Sequence, residues 1–279
     1  MKKWILKAVL QKAITTLPAK QAAKVNLIFQ KYVTKGLDLK DEYFYDRLGH
    51  AKAHLDAYKK YSDKKIPETC LELGTGWHPI VPISFFLTGA TTIYSVDVTF
   101  LTSKENVIET INKILQSEQS GVLQEYLTYQ QDKIEVLRAI VAQQNSYSLE
   151  QILHLLNITY LVEDARKLSL PDNSIDLINS NNTFEHIYPN ILIPILKEFK
   201  RIVSKSGGVM SHFIDMSDHF AHFDNSITLY NFLRFSDSQW KWVDNTLQNQ
   251  SRYKNIRLQK NIYRYRYCYH RTVGKARQY

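Results

Sequence analysis

Three stretches of the chain carry side chains whose types and order could do chemistry. The first, Glu72-Leu73-Gly74-Thr75-Gly76, sets a carboxylate beside two glycines, and Asp97 and then Glu163-Asp164-Ala165 follow it. Glycines let a ligand approach the backbone, helix amino termini favour anionic groups, and an ionised carboxylate can accept from two adjacent hydroxyls, as in a ribose diol. A dinucleotide site would want a third glycine for close helix packing, and Pro79 stands in its place, which disfavours nicotinamide or flavin.

The second stretch, His212 to Asp224, contains His212, His219 and His222 with Asp215, Asp218 and Asp224. Histidine titrates near neutrality and suits general base work. His219 and His222 would share one face of a helix, with Asp218 or Asp215 to orient them. The same residues could share a divalent ion, but their spacing matches no standard zinc signature, and no metal is assigned. A hydrogen-bonded structural loop is the remaining reading. The third stretch is Glu185-His186. A structural role is favoured there, with Glu at the positive end of a helix and His capping or packing, and Asn182 stands where a further acid would help a metal.

The elements that must position these residues follow from periodicity. Residues 1–65 read as helices, with Leu6, Leu10, Ile14 and Leu17 at helical spacing and a second helix over Asp38 to Tyr61. Glu68 to Leu73 is a short apolar run ending in a glycine turn, a helix suits Pro82 to Leu87, and Thr91 to Val96 reads as a second strand closed by Asp97. Strand, helix, strand in that order predicts a parallel α/β sheet, whose ligands sit at the carboxyl ends of the strands. The stretch from Phe100 to Ile158 then reads as two or three inserted helices. Strands three, four and five are expected at Thr159–Val162, Ile175–Ser180 and Gly208–Ile214, with a helix over Asn190 to Ser204 before the last.

From Glu68 to Phe223 the chain resembles the class I, Rossmann-like methyltransferases of small-molecule type. Glu72 to Gly76 is similar to that family's first motif and Asp97 to its ribose acid. Asp164-Ala165 is similar to the pair beside the adenine, Leu170 to Ile178 to the approach to strand four, Phe184 to Ile187 to the segment after it, and Lys205 to Gly208 to the turn before strand five. The resemblance implies a doubly wound, mostly parallel sheet and S-adenosylmethionine as cofactor. It places Glu72 near the amino group of the methionine moiety, Gly74 and Gly76 under it, Asp97 on the ribose, and Asp164 with Ala165 at the adenine. Two departures stand out: Trp77-His78-Pro79 shortens the glycine turn, and the loop after strand two is unusually long.

The resulting expectation is an N-terminal helical cap (1–65), a methyltransferase domain (66–251) with a helical insertion (100–158), and a basic tail (252–279) that is disordered or atypical. The family's sheet ends in an antiparallel hairpin, and no pair of apolar alternating runs follows Arg252 to supply it, so that hairpin is expected to be missing. Tyr263 to Arg271 alternates aromatic and basic residues instead. The tail also explains the net charge of +9: Arg252 to Tyr279 holds nine Lys and Arg and no acid, and the remaining 27 bases equal the 27 acids. A nucleic-acid partner is therefore disfavoured. Two cysteines, Cys70 and Cys268, form no disulfide framework, no signal peptide is recognised, and no apolar run approaches the ~18 residues of a membrane span. The location expected is cytoplasmic or membrane-peripheral, the latter through Trp4 and the lysines of the first helix, although packing of that helix on the core is preferred.

Function is expected to be methyl transfer to a hydroxyl of a small-molecule, saccharide or lipid-linked acceptor, with His219 or His222 as base. The alternatives are a catalytically silent cofactor-binding or scaffold protein and, less favoured, a nicotinamide oxidoreductase.

Overall fold

The computed structural model describes residues 3–15, 38–244 and 268–272. Six strands, β1 (Thr69–Leu73), β2 (Thr92–Asp97), β3 (Ile158–Val162), β4 (Leu177–Asn181), β5 (Val209–Asp215) and β6 (Cys268–Thr272), form one sheet. Their order is β3-β2-β1-β4-β5-β6, and every pairing is parallel. The chain builds outward from β1 to β3, then returns to β4 on the other side of β1. The topological switch point lies between β1 and β4, and the carboxyl ends of both strands open onto it.

Helices cover both faces, which is why the strands read as near-continuous apolar runs. One layer holds α2 (Asp41–Tyr61), α3 (Ile80–Thr88), α4 (Lys104–Gln119), the single turn α5 (Leu123–Tyr126), α6 (Gln131–Ala142) and α7 (Leu149–Leu155). Their apolar faces share a core with Cys70, Ile93, Ile158, Leu177 and Val209 of the sheet. On the opposite face α8 (Pro189–Ile202) packs Leu192, Ile195, Leu196, Phe199 and Ile202 against Leu71, Val96, Ile178 and Met210. That spacing is one stripe of a helix, and Pro189 at its start fills a position where an amide donor would go unused.

The stretch after β2 contains four helices, one more than the upper count read from sequence, because the apolar periodicity pauses around the turn of α5. Local chemistry fixes their ends. Ser103 Oγ accepts from Asn106 N at the start of α4, and Ser148 with Gln151 closes a reciprocal capping box on α7. Gly89, at φ +110, ends α3 with its amide on the carbonyls of Phe85 and Phe86.

A third, smaller apolar cluster joins α1 (Lys3–Thr15) to α9 (Asp237–Val243) and the segment after β5 through Trp4, Ala8, Phe220, Phe232 and Trp240. No helix among the described residues is long and apolar enough to cross a membrane. Cys268–Thr272 pairs with Ser211–Asp215 at the sheet edge, in parallel and not as an antiparallel hairpin. The rest of the tail, 252–267 and 273–279, lies outside the described residues.

Candidate active site

The carboxyl edge of the sheet brings the first constellation together. Glu72 ends its strand buried, with Oε1 accepting from Asn181 Nδ2 on neighbouring β4 (2.8 Å) and Oε2 without a hydrogen bond among the described residues. Burial pushes its carboxyl above the ordinary range, against the Asn181 amide and the charge of Arg47. Gly74 follows at φ +78, and a Cβ there would stand 2.5 Å from Thr183 Oγ1. Gly76, at φ +71, faces open space where a side chain would begin. Two left-handed glycines thus cross the mouth of β1 with room above the second.

Asp97 closes β2. Burial raises its pKa, and the Val98 amide (2.9 Å) with the amides of Gly76 and Thr99 pulls it down. Tyr160 of β3 stands beside it, its hydroxyl pushed up to about 12 by burial and by the charge of Asp97. Asp164 is exposed and held at about 2 by a two-pronged contact with Arg166, whose Nε lies 2.9 Å from both oxygens, while Ala165 is buried beneath. Its carboxylate is therefore half of an exposed ion pair.

Sequence reading missed the network behind Glu72. Asn181 Oδ1 lies 3.1 Å from His54 Nε2 and 3.0 Å from His50 Nδ1, and His54 Nδ1 reaches Ser211 Oγ at 2.7 Å. With the Asn181 amide turned to Glu72, His54 donates through Nε2 and accepts from the serine hydroxyl. His50 stacks on Phe213 with ring centroids 3.7 Å apart and accepts from Arg47 Nη1 (2.8 Å). Tyr43 and Arg47 of the same helix line the small crevice above Glu72 and Gly74. The available signal was the four-residue spacing of His50 and His54, which puts both on one face of α2. Another unread contact joins the insertion to the glycine turn: His78 Nε2 lies 3.2 Å from Glu109 Oε2 and 3.0 Å from Asn106 Nδ2 of α4.

The second and third constellations converge on a separate cavity of about 360 Å³ at the ends of β4 and β5, lined by Lys7, Asn182, Glu185, His186, Asp215, His219, His222 and Phe223. The segment after β5 forms turns, not a helix, yet His219 and His222 still come together. Asp215, and not Asp218, faces them. Its Oδ2 lies 3.6 Å from His219 Nε2 and 3.5 Å from His222 Nε2. Asp218 is fully buried instead, accepting from Phe220 N (2.8 Å) and Asn231 Nδ2 (3.2 Å), so it braces the turn.

Burial would raise Asp215, but contacts from His219, His222 and Ser217 outweigh it and hold the carboxyl far below its usual range. Asp215 in turn raises His222, against the cost of that ring's partial burial. Glu185 does not cap a helix: it sits in a 3-10 turn, Phe184–His186, ahead of α8. It is 3% exposed, and burial pushes its carboxyl up to about 8. Asn182, at φ +50, turns the chain out of β4 to reach this position. His212 lies away from the cavity, buried between Phe184 and Phe199 with Nδ1 2.8 Å from Ser180 Oγ.

Residues 119–211 match the family model described as a methyltransferase domain. No curated protein matches the chain. Among solved structures, the chain is similar to a protein of Pyrococcus horikoshii OT3 at 19% identity and TM-score 0.37, over 64% of this chain and 62% of that one. It is also similar to a putative methyltransferase of Bacillus halodurans C-125 (17% identity, 68% and 66% covered, TM-score 0.34). A third is phosphoethanolamine N-methyltransferase 1 of Haemonchus contortus, solved with phosphoethanolamine and S-adenosylhomocysteine (14% identity, 68% and 31% covered, TM-score 0.35). The chain thus spans about 62% of the first of these structures and less than a third of the last. The match to the methyltransferase-domain model runs from the end of the first inserted helix into β5, and the glycine turn and parallel sheet stand before and around it.

Proposed function

We propose that this protein is an S-adenosylmethionine-dependent methyltransferase acting on an oxygen of a small-molecule, saccharide or lipid-linked acceptor. The observation that carries the reading is the pairing, along one sheet edge, of a glycine-lined cradle with a histidine-lined cavity. Glu72 Oε2 is buried and unpartnered beside two left-handed glycines, and a ligand ammonium there would complete its hydrogen bonding. Asp97 at the end of β2 suits a ribose diol, and Asp164 and Ala165 border the adenine position. The cofactor supplies an electrophilic methyl on a sulfonium.

What the chain must add is alignment of the acceptor and removal of its proton. In this reading His222 takes that proton. Its ring is half-exposed to the cavity, Nε2 sits 2.8 Å from Ser217 Oγ, and Asp215 stabilises the imidazolium that forms. His219 shares Asp215 and positions the same wall.

Calorimetry with S-adenosylhomocysteine tests the cofactor side. Asp97→Ala removes an ionised acceptor, and hydrogen bonds to charged groups contribute about 1.5–3 kcal/mol, so affinity should fall about tenfold to a hundredfold. Unchanged affinity would defeat the assignment. For the acceptor side, a panel of hydroxylated compounds with labelled cofactor should give turnover that His222→Ala slows while cofactor affinity holds.

A further inference from the structure

Within the cavity at the ends of β4 and β5, ligand atoms of Glu185, His186 and His219 all lie within 4.8 Å of one another. We propose that these three residues form a mononuclear site for a first-row transition-metal dication, with its open positions toward the cavity.

Two imidazoles and one carboxylate are a ligand set suited to zinc, iron, cobalt or manganese. They suit magnesium or calcium poorly, since those ions prefer oxygen throughout. The strongest observation is Glu185. It is 3% exposed and lines the cavity, and neither carboxylate oxygen makes a hydrogen bond among the described residues. A buried carboxylate without a partner is costly, and coordination to a cation is one of the few ways to satisfy both oxygens.

The three ligands come from two segments that the sheet holds side by side: the 3-10 turn after β4, entered through left-handed Asn182, and the turns after β5. A second carboxylate stands behind the set. Asp215 Oδ2 is 3.6 Å from His219 Nε2, close enough to orient that ring or to join the coordination sphere. Lys7 is the cation already on the cavity wall, but among the described residues no ion pair joins it to Glu185 or Asp215. Its ammonium instead lies 5.2 Å from the Phe223 ring centroid and 5.9 Å from that of Phe220. The sequence could not give this site, because Glu185-His186 and His219 are separated by a helix and a strand and fit no ligand spacing pattern.

The site stands apart from the cofactor reading. Only its use rests on that reading: a dication beside a hydroxyl acceptor would lower the hydroxyl's pKa and leave His222 free to receive the proton.

The test uses the full chain, stripped with a chelator and dialysed, then titrated with zinc chloride by calorimetry and with cobalt(II) by visible absorption. One equivalent per chain is expected, with a cobalt d–d band of nitrogen and oxygen ligation and a rise in melting temperature on adding zinc. Glu185→Gln and His219→Ala should each weaken zinc binding by about tenfold or more. His154→Ala, at an exposed position outside the cluster, should bind as the wild type does. Absence of stoichiometric binding would overturn the proposal, as would affinities unchanged in Glu185→Gln and His219→Ala or an equal loss in His154→Ala. Should Glu185→Gln fail to fold, His219→Ala and the cobalt spectrum decide. S-adenosylhomocysteine affinity measured on the same samples separates failure of the metal site from failure of the cofactor reading.

Discussion

At the scale of single residues, Gly74 is held by two independent constraints. Its φ of +78 is costly for any L side chain, and a Cβ would enter the Thr183 side chain at 2.5 Å. Gly74→Ala should therefore destabilise the fold by about 1–3 kcal/mol and weaken S-adenosylhomocysteine binding. Urea denaturation with calorimetry reads both, and wild-type values in each would show that the turn tolerates a side chain. Glu72 makes a prediction of a different kind. Burial raises its pKa in the free protein, so it gives up its charge more readily than an exposed carboxyl. An ammonium placed against it favours the ionised form and lowers that pKa on binding. The sign follows: binding releases protons, and cofactor affinity strengthens as pH rises toward the free-state pKa, then levels off. Calorimetry in buffers of different ionisation enthalpy should show the release, and Glu72→Gln should abolish it. Proton uptake, or none, in the wild type would count against the placement.

At the scale of elements, α2 does more than cover the sheet. Its fully buried His54 bridges Ser211 of β5 to Asn181 of β4, and Asn181 in turn holds Glu72 of β1. One helix thereby ties three neighbouring strands, β5, β4 and β1, across the switch point. His54→Ala leaves Ser211 with one partner fewer and takes the Nε2 donor from Asn181 Oδ1, and losing a buried partner costs about 1–3 kcal/mol. The expected result is lower thermal stability together with weaker cofactor binding, although His54 touches no cofactor position. A stability loss with undiminished affinity would confine α2 to packing. The insertion acts similarly through Asn106 and Glu109 of α4, which sit against His78 just after the glycine turn. On the far side, Arg201 of α8 ties Glu198 to Asp172 and to the carbonyls of Leu168 and Leu170, bracing the loop that begins at Asp164.

For the whole molecule, the distinctive feature is how the first helix reaches the segment after β5 at the carboxyl edge of the sheet. Trp4 is buried against Phe220 and Phe235, its amide donates to Asp224 Oδ2 (3.1 Å), and Lys12 Nζ donates to the carbonyls of Lys241 and Asp244. The segment that α1 clamps is the one carrying His219 and His222. Trp4→Ala should cost about 3–5 kcal/mol of docking energy, enough to release α1 while the sheet stays folded. Hydrogen exchange should then show lost protection in α1 and in residues 216–235 with β1, β2 and β4 unaffected. Uniform loss across the sheet would mean that the cap and core unfold as one unit.

Periodicity and turn chemistry were local enough to be read directly: five strands fell within one or two residues of their expected bounds, and α8 and the insertion were helical as their apolar spacing required. The positions of Glu72, Gly74, Gly76 and Asp97, at or just past the carboxyl ends of β1 and β2, are local in the same way. What the sequence could not decide were contacts between segments far apart in the chain. The bridge from Glu72 through Asn181 to His54 spans more than a hundred residues, and so nothing in local spacing marks it. Spacing left Asp215 and Asp218 both open, and the turns after β5 decide between them: Asp215 meets the histidines while Asp218 is buried against Phe220 N and Asn231. Glu185 becomes a cavity-facing acid only when left-handed Asn182 and the 3-10 turn carry it there. The parallel pairing of Cys268–Thr272 with β5 likewise depends on a partner strand more than fifty residues away. Backbone preference is written residue by residue and is legible in one dimension; partner choice is settled by the burial of both sheet faces and by which strand ends then lie together.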